Sequence, residues 1–183
     1  MAISDWLPGL HGTHVLVLGT VTGMVLHTTF VASVLQFKTL PKQTFAALQA
    51  VQFPPYFAIS AAATLYLTYS TYALSSFSQT ESPFDALFKT VGVSTSAKRA
   101  DAVALAVIAS AATATLANWL LVGPATAKLG RERALFEKNG QDPPIEVKRR
   151  FGAMHGVSSL LNLGVALALV SHCFWVGKRW GTR

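Results

Sequence analysis

Charge is what this sequence has least of. Lys, Arg, Asp and Glu make up 13% of its 183 residues, about half the share usual in soluble domains. None occurs in four long runs, 6–37, 43–80, 102–127 and 151–177. A water-soluble domain is thereby excluded, since each run is long enough for a helix that crosses a bilayer, which takes roughly 20 apolar residues. Cysteine is nearly absent too. Cys173 is the single one, so no intramolecular disulfide can form, and inside the last apolar run it reads as a small hydrophobe. No Lys or Arg precedes Lys38, which argues against a cleavable signal peptide and an Arg-rich transit peptide, so the first run is expected to be retained. With no Asp or Glu inside any run, a proton-coupled pump lacks its mid-depth titratable groups. Metal-ligand spacing, phosphate-cradling glycine loops and nucleotide motifs are also missing, and no cofactor is expected.

What remains is 51% hydrophobic, with a mean hydropathy of +0.42 and a net charge of +7. The pattern predicts an all-α, integral membrane four-helix bundle in one domain, with spans at about 13–35, 56–78, 101–123 and 157–176. The basic excess belongs to membrane-flanking loops rather than to a nucleic-acid module. Loops one and three carry nine Lys and Arg against six in loop two and the C-terminus, which places loops one and three in the cytosol by the positive-inside bias. Trp6, Trp119, Trp175, Trp180 and Tyr56 near the span ends read as an interfacial belt.

Two short interfacial helices are expected in the loops. One follows Pro41 and ends where Pro54-Pro55 interrupts it. The other starts at Ser82-Pro83 and carries Phe84, Leu87, Phe88 and Val91 on one stripe up to Gly92. Between spans 3 and 4, about 124–156, a polar helical hairpin is predicted. Its first arm extends to Asn139-Gly140 and its second begins after Asp142-Pro143-Pro144, with Asp142 able to cap the new helix.

In lipid, helices associate through small residues and polar contacts. Gly19, Gly23 and His27 in span 1, and Ala102, Ala106, Ser110, Ala114 and Asn118 in span 3, form i, i+4 ridges expected to face other helices. His155, Ser158, Ser159 and Asn162 form a polar stripe in span 4, also expected to face inward. Antiparallel spans pair His14 with His172 and His27 with His155 in depth, as two stacked bis-histidine haems would require. At 100° per residue, however, His14 and His27 lie about 140° apart and His155 and His172 about 100° apart, so one face cannot serve both haems. His14 and His155 then read as interfacial, and His27 and His172 as packed hydrogen-bonding groups. A hydrolase built on His155 and Ser158 or Ser159 lacks an acid to orient the imidazole and lacks a Gly-x-Ser-x-Gly elbow. An enzyme is not expected.

Two functions are carried forward. The first is a non-enzymatic scaffold or trafficking-type component whose hairpin engages a membrane-protein partner, a second copy or anionic lipid headgroups through Arg131, Arg133, Lys148, Arg149 and Arg150. The alternative is a small transporter or permeation pathway lined by the neutral polar interior, with His27, Asn118, His155, Ser158, Ser159 and Asn162 as its candidate residues.

Three stretches carry a family likeness: Leu48-Gln49 with Phe53-Pro54-Pro55-Tyr56-Phe57; Asn118 with Val122-Gly123-Pro124-Ala125-Thr126 and Arg131-Glu132-Arg133; and Phe151 with the run from His155 to Leu163. Together they resemble the transmembrane protein 205 family. The resemblance implies a small multi-pass eukaryotic protein of the endomembrane system (endoplasmic reticulum or secretory pathway), the mitochondrial outer membrane being the other placement considered. It implies no enzymatic activity. It marks Asn118, Pro124, Arg131, His155, Ser158, Ser159 and Asn162 as the positions to watch.

Overall fold

Inside a bilayer no water is available to backbone N–H and C=O groups, so a segment that enters it must satisfy them itself, as a helix does. The computed structural model, which describes residues 9–75 and 96–181, is built in this way. Helix α1 (Leu10–Leu26) passes through a π-helical turn (His27–Ala32) into α2 (Ser33–Thr39). After a short link comes α3 (Lys42–Leu74). Helix α4 (Ser96–Ala117) passes through a second π-helical turn (Asn118–Val122) into α5 (Gly123–Lys138), and α6 (Ile145–Trp180) completes the order. No strand occurs among the described residues.

The chain is an all-α integral membrane protein. Three helical stretches, Leu10–Thr39, Lys98–Lys138 and Ile145–Trp180, are long and apolar enough to cross a bilayer. Helix α3 packs against α1 and α4, while α6 packs against α1 and α4 from the other side. One core runs between them: Leu18, Val21 and Val25 of α1, Phe57 and Leu67 of α3, Ile108 of α4, and Val165 and Leu169 of α6. Large apolar residues such as Leu16, Leu65, Leu121, Leu160 and Phe174 point outward. In water such exposure would be a liability; in lipid it is the ordinary outer surface.

Several sequence expectations need correction. Pro54 and Pro55 do not interrupt a helix, because α3 runs through both. The first expected interfacial helix is therefore the opening of a 33-residue helix; membrane helices tolerate proline where neighbours take up the freed carbonyls. The second expected interfacial helix, at 82–92, lies outside the described residues. The ridge of Gly19, Gly23 and His27 faces outward, and a Cβ built on either glycine meets nothing within 4 Å. The inward face of α1 is instead set by His14, Leu18, Val21 and Val25, and at 100° per residue the ridge falls roughly opposite it. Along α4 the ridge drifts: Ala102 and Asn118 are buried, Ala106 and Ala114 half-buried, and Ser110 exposed. A spacing of four residues overruns the 3.6-residue turn and precesses around the helix.

Between α5 and α6 the chain reverses at Asn139–Gly140. Gly140 adopts φ 68°, the left-handed conformation that glycine enters without a Cβ penalty. Asp142 does not cap α6, whose N-terminal boundary residue is Pro144 with no side-chain cap. Its carboxylate instead accepts a 2.6 Å bond from Lys148 Nζ.

Candidate functional site

Polar chemistry concentrates in three zones. At the end of the molecule holding the N-terminus of α1 and the C-terminus of α6, His14 and His172 are 0% and 1% exposed, and their Nε2 atoms are 3.1 Å apart. This corrects the interfacial placement of His14. His14 Nδ1 lies 2.7 Å from Ser70 Oγ, and His172 Nε2 lies 3.2 Å from Thr71 Oγ1. Trp175 stacks on His172 at 5.0 Å, and Trp180 meets His14 edge-on at 5.2 Å. The two tryptophans are thus half-buried partners of the histidines rather than a free interfacial belt.

Two Nε2 atoms at that distance share one hydrogen, so the chain Ser70–His14–His172 has two proton arrangements. In one, Ser70 donates to the carbonyl of Tyr66 at 2.9 Å, His14 Nδ1–H donates to Ser70, and His172 Nε2–H donates to His14. In the other Ser70 donates to His14 Nδ1, His14 Nε2–H donates to His172 Nε2, and His172 Nδ1 carries a hydrogen. His172 Nδ1 and Trp175 Nε1 have no partner among the described residues. No group of three metal-ligating side chains occurs among the described residues, so the pair falls short of a zinc ligand set. Serine beside histidine has the outline of a nucleophile and base, but Ser70 is fully enclosed and already bonded within its own helix.

The second zone lies at the level of the π-helical turns. Tyr56 donates to Asn162 Oδ1 at 2.7 Å, and Asn162 Nδ2 donates to Thr29 Oγ1 at 2.7 Å. These bonds tie α3, α6 and the first π turn together. Asn118, which begins the second π turn, donates to the carbonyl of Ser158 at 3.2 Å. Each turn closes with a bond reaching five residues back, Ser33 to Thr28 and Gly123 to Asn118. The extra residue re-aims the side chains. Further along α3, Thr64 and Thr115 meet at 2.9 Å. Of the six interior candidates from the sequence, Asn118, Ser158 and Asn162 therefore come together here. His27, His155 and Ser159 are exposed instead, and His155 stacks on Phe151 of its own helix. Tyr56, expected at the interface, is buried and belongs to this cluster.

The third zone is the hairpin. Arg133 pairs with Glu137 at 3.0 Å and lies over the ring of Phe151 at 5.6 Å. Lys148 pairs with Asp142, while Arg149 and Arg150 both pair with Glu146. Glu137 also reaches Lys42 of α3 at 3.6 Å. Of the five hairpin cations singled out in the sequence, Arg131 alone has no ion pair among the described residues. At the opposite end of the molecule Arg179 pairs with Asp101, which is 0% exposed.

Sequence reasoning missed the histidine pair as a site, although the matched depths of His14 and His172 were a usable signal. It missed Tyr56 and Thr29 because no periodicity marks a bond between two helices.

Residues 16–135 match a domain of unknown function (DUF4149). No curated protein and no solved structure matches the chain. The resemblance to the transmembrane protein 205 family is thereby corrected: the match is to another family description. The most specific of the likeness-bearing stretches, His155 to Leu163, lies outside the matched residues. The endomembrane placement that the resemblance implied loses its basis with it.

Proposed function

This chain belongs to the DUF4149 family, a domain of unknown function, and because that membership assigns no chemistry we propose a function from geometry alone. The protein is a multi-pass, non-enzymatic membrane scaffold with four spans, and the α5–α6 hairpin is the surface that docks a partner protein. One observation carries this reading: α5 contributes no buried residue, and beside the turn Leu135 and Ile145 stand 63% and 80% exposed among charged side chains. Lys98–Lys138 has 41 residues, or about 60 Å of helix, against about 30 Å of hydrocarbon. The surplus places the hairpin tip in water, where exposed Leu and Ile favour a covering partner.

Lipid headgroups are the weaker occupant of the hairpin, since four of its five candidate cations already neutralise Glu137, Asp142 and Glu146. Support for a fourth span comes from α3. Its 33 residues measure about 50 Å, it is uncharged after Lys42, and it lies between α1 and α4. Its lower hydropathy reflects the Ser, Thr and Tyr residues of its buried face, which meet other helices rather than lipid. The transport alternative is disfavoured because Tyr56, Asn162, Thr64 and Thr115 bond to one another across the core instead of lining a passage.

A photo-crosslinking amino acid placed at Leu135 or Ile145 in native membranes tests the proposal. Discrete protein adducts are expected from both sites and none from the outward-facing Leu121. Lipid adducts alone at all three would refute it.

A further inference from the structure

The seam between α4 and α6 is open along part of its length. Two cavities lie along it. One of about 400 Å³ is lined by Ala111, Ala114, Leu160, Leu161 and Gly164. The other, of about 490 Å³, is lined by Arg99, Val103, Val107, Trp175 and Lys178 together with His172. On a helical wheel the lining positions of each helix form one stripe, so the cavities are successive stretches of one groove. From Arg99 to Ala114 it measures about 22 Å, enough to pass the midplane of a hydrocarbon layer about 30 Å thick.

The groove changes character along its length. Toward Gly164 it is apolar. At the other end it opens between Arg99 and Lys178, both exposed and neither in an ion pair among the described residues. The neighbouring Arg179 is held by Asp101, which leaves these two cations facing outward. The same end holds the two ring nitrogens without partners, His172 Nδ1 and Trp175 Nε1.

We propose that this groove is a binding site for one anionic phospholipid, with an acyl chain along the α4–α6 seam and the phosphate between Arg99 and Lys178. Trp175 Nε1 and His172 Nδ1 are closed off from the groove, so Arg99 and Lys178 carry the recognition of the phosphate. A zwitterionic lipid offers the same chain without the net charge that two cations attract. The site lies at the opposite end from the hairpin and does not depend on its role.

Native mass spectrometry of the full chain in detergent, titrated with phosphatidylglycerol and phosphatidylcholine of identical chains, tests this. The wild type is expected to retain one phosphatidylglycerol in clear preference to phosphatidylcholine. R99Q/K178Q alters exposed side chains only and is expected to reduce that preference about ten-fold. G164L fills the apolar end, where an added Cβ meets nothing within 4 Å, and is expected to weaken both lipids alike. K38Q, an exposed position in α2, leaves binding unchanged. Equal retention of the two lipids by the wild type, or a preference that survives R99Q/K178Q, would overturn the proposal.

Discussion

Replacing Asn162 by Leu is the sharpest perturbation of the bundle interior. Its amide accepts from Tyr56 and donates to Thr29, each at 2.7 Å, so one substitution breaks the bonds that join α6 to α3 and to the first π turn. Tyr56 has one hydroxyl hydrogen and directs it to Asn162. By contrast the Thr64 and Thr115 hydroxyls also reach carbonyls of their own helices, so the bond between them competes for the same hydrogens and is the weaker of the two contacts. Inter-helix hydrogen bonds in membrane proteins average about 0.6 kcal/mol and reach about 1.7. Two of them put the cost of Asn162→Leu at about 1 to 3 kcal/mol, or roughly 5- to 150-fold in the unfolding constant. Equilibrium unfolding in mixed detergent–lipid micelles reads it, and a double-mutant cycle with Tyr56→Phe isolates the pair. A coupling of about 0.6 kcal/mol or more is expected for Tyr56–Asn162 and a smaller one for Thr64→Val with Thr115→Val. Additive effects at Tyr56–Asn162, or the larger coupling at the threonines, would refute the reasoning.

Three further predictions use the same assay. His172→Leu strands His14 Nε2 and Thr71, so it should destabilise by about 1 to 3 kcal/mol; adding His14→Leu should cost less than the sum of the single changes, and full additivity would count against the shared hydrogen. Asp101→Asn leaves Arg179 without its carboxylate and should lower stability, though by less than the 3–5 kcal/mol typical of a fully buried pair, because the Arg179 side chain is 28% exposed. Gly123→Ala places a Cβ 2.5 Å from the Asn118 carbonyl and must shift the π turn, whereas Gly19→Ala and Gly23→Ala meet nothing within 4 Å; a loss at Gly123 with changes within about 0.5 kcal/mol at the other two is expected, and equal effects would contradict the outward placement of the ridge.

The class of fold was legible because charge-free runs of bilayer length have few other physical explanations. The facing of individual residues was less so. Gly19 and Gly23 show a small-residue spacing that favours close packing, but which face of α1 turns inward is decided by His14, Leu18, Val21 and Val25, whose partners lie on other helices. Pro54-Pro55 carries a strong local signal, and tertiary packing overrides it within α3. The π turns at His27–Ala32 and Asn118–Val122 add a residue without any sequence signature, and every projection beyond them shifts on the wheel. That shift falls on the residues after His27 and Asn118, which open the two turns; His27 itself faces outward by the ordinary wheel of α1. The histidine pair was half legible: depth matched His14 to His172, but only the rotation of both helices brings Nε2 to Nε2. The hairpin charges were visible as residues, while their pairing with Glu137, Asp142 and Glu146 depends on reach across the turn and along α6.

Thiol labelling tests the central claim, a sealed polar interior beneath an exposed hairpin, most directly. Starting from Cys173→Ser, single cysteines at Thr64, Ser70, Leu135 and Ile145 are exposed to a membrane-impermeant maleimide in sealed vesicles and again after permeabilisation. Rapid labelling of Leu135→Cys and Ile145→Cys from one side, with Thr64→Cys and Ser70→Cys protected in both conditions, is the predicted result. Labelling of the interior positions in folded protein would contradict it and return the bundle to the class of permeation pathways.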